Sequence, residues 1–251
     1  MKSIAKTHIG NVRKENQDII FQSLEGVSSL PNLFIVADGM GGHSAGEVAS
    51  KWALEAFLSF LQDDSNAYLA ENQPDFLSKA LGYANAQVHE KSLSDAEHAG
   101  MGTTFTAATI LDEQLHYANV GDSRIYLATK KDGITQLTRD HSNQTEDLLE
   151  KGVITEKEAA SYPDTLLNRA IGTDSYVDVD KASASLKGIE YILICSDGLT
   201  NMLSNQEILN TMQLENSLED IAEQLVKKAL EYGGYDNISL IIIDLTKGCE
   251  V

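Results

Sequence analysis

Short apolar runs that stop at an aspartate recur along this chain, and they constrain its fold more than any other feature. Leu33-Phe34-Ile35-Val36-Ala37 runs into Asp38-Gly39, Leu115 to Val120 into Gly121-Asp122, and Tyr191 to Cys195 into Ser196-Asp197-Gly198; Asp236-Asn237 stands just before Ile238 to Ile243. Apolar runs of five or six residues bounded by Gly and Asp read as buried strands. A carboxylate held at such a strand end is rigid and reaches solvent. Several converging ends would form an all-oxygen cage suited to hard divalent cations such as Mg²⁺ or Mn²⁺. Asp38 is followed by Gly39, Gly41 and Gly42, which let the backbone approach a ligand closely. Asp-Gly and Asp-Asn pairs are also ordinary turn formers, and taken singly each of these pairs is a turn.

Further strands are expected near Ile4–Thr7, Ile19–Gln22, Thr104–Ile110, Ser123–Ala128, Gly133–Leu137 and Val179–Ser185. Helices interrupt the strand runs in pairs. Ser44-Ala45-Gly46-Glu47 reads as a capping box before a helix with Val48, Trp52, Leu54, Phe57 and Leu61 on its apolar face. Phe76 to Lys91 places Leu77, Leu81, Ala84 and Val88 at helical spacing. Ser204 with Glu207, and Ser217 with Asp220, cap two later helices. This order predicts an α+β fold: a central antiparallel β-sandwich of two sheets with helices on both outer faces. One domain over residues 1–251 is the simplest organisation, since no repeat, low-complexity tract or Pro-rich linker divides the chain. The polar stretch 142–171 stands apart, with Thr155-Glu156-Lys157-Glu158 as a capping box and Tyr162-Pro163-Asp164 as a break; a surface excursion without a role is one reading of it.

Charge narrows the partners. Lys and Arg total 19 and Asp and Glu 38, a net charge of −19, which argues against nucleic acid or an anionic membrane as a partner. Of the 2 cysteines, Cys195 lies in an apolar run and Cys249 near the end, so no disulfide framework is implied. The start lacks the apolar stretch of a signal peptide and no run is long enough to span a bilayer. A cytoplasmic, monomeric protein is expected.

Arg13-Lys14-Glu15-Asn16-Gln17-Asp18, Val36-Ala37-Asp38-Gly39-Met40-Gly41-Gly42-His43, Gly100-Met101-Gly102-Thr103-Thr104, Val120-Gly121-Asp122-Ser123-Arg124, Asp140-His141-Ser142, Ser196-Asp197-Gly198-Leu199-Thr200 and Asp236-Asn237-Ile238-Ser239 follow one another in order. In this the chain resembles the metal-dependent serine/threonine protein phosphatases of type 2C, in their compact bacterial form, from about Thr7 to Leu245. The resemblance implies the same sandwich, with 142–171 as a flap beside the active site. It implies hydrolysis of phosphoserine and phosphothreonine in proteins, opposing a serine/threonine kinase. Two Mn²⁺ or Mg²⁺ ions are implied. Asp38 bridges them, Asp197 and Asp236 complete one, the Gly39 carbonyl helps hold the other, and Asp18 orients metal-bound waters. Asp122 with Asp197 matches the ligands of a third ion, Asp122 being otherwise a turn residue. Arg13 matches the phosphate clamp, for which a guanidinium offers a planar fork that lysine cannot copy.

For the proton delivered to the leaving alkoxide, His43 and metal-bound water stand as equal alternatives, because Met40 occupies the position where many eukaryotic members carry histidine. His141 reads as a hydrogen-bonding residue. Ser239 and Tyr162 depart mildly from the pattern, where threonine and histidine are common. Other chemistries are absent: Cys195 lacks the arginine six positions on that a cysteine phosphatase needs, and there is no Walker loop and no His-Glu-x-x-His or paired Cys-x-x-Cys site. A catalytically inactive, phosphatase-like binding module is the alternative function. Retention of Arg13, Asp18, Asp38, Gly39, Asp197 and Asp236 speaks against it.

Overall fold

The computed structural model describes residues 1–42, 44–66, 72–94, 96–129, 133–142, 152–153, 155, 167–214 and 217–246. Eleven strands among these residues form two antiparallel sheets. The first has the order β1 (Lys2–His8), β11 (Ile238–Asp244), β10 (Tyr191–Cys195), β7 (Arg124–Thr129), β8 (Gly133–Gln136). The second runs β2 (Asp18–Ser23), β3 (Leu33–Met40), β5 (Phe105–Leu111), β6 (Gln114–Val120), β9 (Asp180–Ser185), with the short β4 (Gly102–Thr103) pairing to the end of β3.

The unbroken apolar runs have a direct cause. Alternate side chains of one strand enter different cores, so neither face of it meets water. Phe34 and Val36 of β3 join Ile125, Ile192, Ile194, Ile241 and Ile243 between the sheets. Leu33, Ile35 and Ala37 point to the outer face, where α1 (Ala45–Gln62) and α2 (Gln73–Ser94) cover them. On the other sheet Leu193, Cys195, Leu240 and Ile242 pack outward against α4 (Asn205–Met212) and α5 (Leu218–Glu231). The expected sandwich with helices on both outer faces is what forms. Cys195 is a buried free thiol, and no helix among the described residues is long and apolar enough to cross a membrane.

Local expectations met different fates. Both late capping boxes form: Ser204 with Glu207 and Ser217 with Asp220 each exchange side-chain and backbone bonds, a device worth about 1 kcal/mol per helix. Ser44 does not cap. Its backbone is already turned (φ −79, ψ 4) and its hydroxyl makes no capping bond. The buried stripe of α1 is also rotated from the one expected. Ala45, Ala49, Ala53, Ala56, Phe57 and Leu61 face the core, while Trp52 stays 38% exposed with the Lys91 ammonium 5.3 Å from its ring centroid. Small residues let α1 lie close on the sheet, and that close approach outweighs burial of the single tryptophan. α2 begins three residues earlier than expected, with Pro74 in its first turn, where a missing N–H costs nothing.

Candidate active site

Asp38 sits inside a strand, not at its tip. β3 continues through Gly39 and Met40, which pair with Thr103 and Gly102 of β4. The Asp38 main chain is gripped on both sides. Its N–H donates to Thr104 Oγ1 at 2.9 Å, and its carbonyl accepts from the Thr104 N–H at 2.8 Å and Thr103 Oγ1 at 2.9 Å. Asp18 is its direct antiparallel partner on β2.

The other carboxylates arrive from three separate turns. Asp122 follows Gly121, whose φ is +105 and whose missing Cβ would stand 2.6 Å from the Thr104 side chain, so this turn requires glycine. Asp197 opens the short helix α3 (Asp197–Thr200), and its Oδ2 accepts from Asn201 Nδ2 at 2.9 Å. Asp236 precedes β11 and accepts from Arg13 Nη2 at 2.7 Å. Close backbone approach at Gly39 is real: a Cβ there would meet the Gly46 carbonyl oxygen at 2.1 Å.

Asn237 holds the N-terminal loop against these turns. Its Oδ1 accepts from the Gln17 N–H at 2.8 Å, and its Nδ2 donates to the carbonyls of Ile9 at 2.8 Å and Glu15 at 3.0 Å. The loop that carries Arg13 is thereby fixed beside Asp236.

Arg13, Asp38, Gly39, Asp122, Asp197 and Asp236 line one cavity of about 450 Å³, together with Gln17, Met40, Gly41 and Leu167. Arg13 is the one cationic side chain among its described lining residues. Asp18 does not line it. It is buried behind Asp38, 8% exposed, with Oδ2 accepting from Ser196 Oγ at 2.8 Å. Of the expected site residues only His43 lies outside the described residues, as does most of the 142–171 segment. Leu167 brings the described end of that segment to the cavity, and Ile171 pairs with Thr103 through two backbone bonds of 3.0 and 2.8 Å.

The carboxylates hold protons abnormally tightly. Burial, then the charges of Asp197 and Asp140, pushes Asp122 up to about 7. Burial also raises Asp18 to about 6, against the opposing bonds from Ser239 and Ser196. Asp38 is held well above the ordinary range by burial and then by Asp18, Asp197, Asp236 and Asp122, and Asp197 is raised by burial and then by Asp236. Clustered buried carboxylates repel one another's charge and stay protonated unless a cation takes the proton's place.

The donor set fits a hard divalent cation. Every polar group offered is oxygen apart from Arg13 and Gln17, and Asp18 Oδ1 and Asp197 Oδ1 are buried without a hydrogen-bond partner. Among the described residues no three Asp, Glu, His or Cys side chains converge on one point.

Sequence reasoning placed Ser196, Thr104 and Asn237 inside recognisable stretches but gave them no task. Their hydroxyl and amide contacts span strands far apart in the chain and have no local signal.

Fold and site together define an α-β-β-α sandwich with a carboxylate-rich cavity. Residues 6–232 match the family described as protein phosphatase 2C. The serine/threonine phosphatase Stp of Listeria welshimeri is 35% identical over 242 residues, covering 95% of this chain and 94% of that protein. The crystal structure of serine/threonine phosphatase Stp1 from Staphylococcus aureus superposes with a TM-score of 0.81 at 32% identity, covering 97% of this chain and 94% of that one. The catalytic domain of the serine/threonine protein phosphatase PstP, solved in complex with 2 manganese ions, superposes with a TM-score of 0.75 at 29% identity, covering 97% of each chain. The chain belongs to the protein phosphatase 2C family, the metal-dependent serine/threonine protein phosphatases.

Proposed function

We propose that this chain, acting as one catalytic unit, hydrolyses phosphoserine and phosphothreonine in bacterial phosphoproteins and so opposes a serine/threonine kinase. The observation that carries this reading is the meeting, in one cavity, of Asp38, Asp122, Asp197 and Asp236 from four separate segments with a single guanidinium, Arg13. Two ions, Mn²⁺ or Mg²⁺, are assigned to Asp38, Gly39, Asp197 and Asp236, with Asp18 behind them and a third ion at Asp122 and Asp197. Bound there, such cations supply a water nucleophile at neutral pH and neutralise phosphoryl charge.

The chain's own residues supply the rest. Arg13, with 53% of its side chain exposed, is free to leave Asp236 and present its planar fork to two phosphate oxygens. Together with bound divalent cations its charge would offset, inside the site, the repulsion that a net charge of −19 imposes on an anionic substrate. Asp18, fixed by Ser196, keeps an acceptor oxygen directed by β2 rather than by a mobile side chain. In the reaction a water oxygen bonds to phosphorus as the bond from phosphorus to the serine or threonine oxygen breaks, and the departing alkoxide takes a proton. Its donor is His43 or a water held at the cation site, the two alternatives the sequence offers. No residue favours an inactive binding module, since every carboxylate of the set is present. A monomer in the cytosol completes the reading.

The test is phosphate release from a phosphothreonine peptide. Release is expected with Mn²⁺ and none in excess EDTA; full release in EDTA overturns the reading.

A further inference from the structure

His141 is 5% exposed and lies outside the cavity, yet it joins both walls beside it. Its Nδ1 accepts from the Gly121 N–H at 3.0 Å, and its own backbone N–H donates to the Gly121 carbonyl at 3.1 Å. Both backbone groups of the glycine that precedes Asp122 therefore end on one residue. With Nδ1 an acceptor, the single proton of a neutral imidazole is on Nε2. That nitrogen stands 3.2 Å from Asp180 Oδ2. Burial lowers the histidine pKa, which favours this neutral form.

The second wall is the returning end of the 142–171 segment. The Asn168 N–H donates to the His141 carbonyl at 2.5 Å. Arg169 Nη1 reaches Asp180 Oδ1 at 2.9 Å and Asp178 at 3.6 Å. Asp180 is thus shared between His141 and Arg169. Leu167, one residue before Asn168, lines the catalytic cavity.

We infer that His141 is a positioning residue, whose Nδ1 sets the Gly121-Asp122 turn and with it the Asp122 carboxylate, while its Nε2 holds the 167–171 segment through Asp180. The inference rests on the reading of Asp122 as a cation ligand. Gly121, the most permissive of residues in its backbone, has its N–H and its carbonyl both tied to His141. A lost Nδ1 bond would therefore be felt at Asp122.

Two substitutions separate the nitrogens. In His141→Asn the amide oxygen can replace Nδ1; in His141→Gln the amide can replace Nε2. Amide hydrogen exchange in the metal-free protein and Mn²⁺ binding by calorimetry are the readouts. His141→Gln is expected to speed exchange at Gly121 roughly tenfold and to weaken Mn²⁺ by about 10–100-fold at one site, as for other residues that orient a ligand. His141→Asn is expected to spare both while speeding exchange at 168–169. Unchanged Gly121 exchange in His141→Gln, or the same pattern in both variants, overturns the inference.

Asp122→Asn separates the two possible failures. If it leaves Mn²⁺ stoichiometry unchanged, the ligand reading of Asp122 falls, and the metal half of this inference with it. If it removes an ion while His141→Gln leaves Mn²⁺ affinity intact, the ligand reading stands and the positioning of Asp122 by His141 is overturned. Should His141→Gln fail to fold, Asp180→Asn tests the other nitrogen: faster exchange at 168–169 with Gly121 unchanged supports the division of labour between the two nitrogens, and unchanged exchange at 168–169 overturns it.

Discussion

The Ser196 hydroxyl donates to Asp18 Oδ2 at 2.8 Å across the gap between the two sheets. Ser196 follows β10 of one sheet and Asp18 opens β2 of the other. The same Ser196 Oγ accepts from the Ser239 N–H at 3.0 Å, and Ser239 Oγ meets Thr7 Oγ1 at 2.8 Å. The buried hydroxyls of Ser196 and Ser239, with Thr7 at the exposed end of the chain of bonds, therefore tie the two sheets together at the end that carries the site.

Ser196→Ala leaves Asp18 Oδ2 and the Ser239 N–H without this partner. The metal-free protein should lose about 1–3 kcal/mol, the cost of stranding buried polar groups. Urea denaturation in EDTA measures it. A loss below about 0.5 kcal/mol would mean that the two groups find other partners.

The raised carboxylates predict an unusual pH dependence. Asp18 at about 6 and Asp122 at about 7 keep protons that the unfolded chain, near 3.8, has released. Between those values the folded state binds more protons, so stability falls as pH rises. Each retained proton is worth about 1.4 kcal/mol per pH unit across that window, so the effect amounts to roughly a few kcal/mol. In EDTA the melting temperature should be lower at pH 8 than at pH 5, Asp122→Asn should flatten the slope, and Mn²⁺ should restore stability at pH 8. A melting temperature that climbs with pH in EDTA contradicts this.

Asp38→Asn keeps the shape of the side chain, and the threonine bonds to the Asp38 backbone do not depend on its charge. Turnover of phosphopeptide should fall by roughly 10²-fold or more. The metal-free melting temperature should rise at neutral pH, because asparagine removes the cost of keeping protonated a buried carboxyl that the unfolded chain would ionise. Wild-type turnover in this variant, or a lower melting temperature, would show that Asp38 acts as a structural residue.

Arg13→Ala should act on substrate binding. A charge-assisted contact to phosphate is worth about 1.5–3 kcal/mol, so KM for a phosphothreonine peptide should rise by roughly 10- to 100-fold, with kcat changed less. The ion pair to Asp236 is half exposed and contributes at most about 1 kcal/mol, so the melting temperature should barely move. Unchanged KM on peptide would remove Arg13 from the clamp role.

Much of this protein is set by its sequence alone. Runs such as Leu33–Ala37 and Leu240–Ile243 are apolar at every position because both faces of each strand are covered, and that pattern announces two sheets with helices outside them. Ser204 and Ser217 cap their helices because partners three residues away are within reach of any chain that turns there. Only the tertiary structure decided the rest. Ser44 has the same local pattern and does not cap, because the glycine turn before it brings Gly39 against Gly46 and sets the backbone first. Trp52 faces outward because alanines give α1 its closest seat on the sheet. Asp38 lies within a strand because β4, more than sixty residues later, pairs with the two residues beyond it. The hydrogen bonds of Ser196 to Asp18 and of His141 to Gly121 obey no sequence period. Periodicity and capping are short-range and legible in any window of the chain, whereas buried polar groups take the partners that packing brings to them.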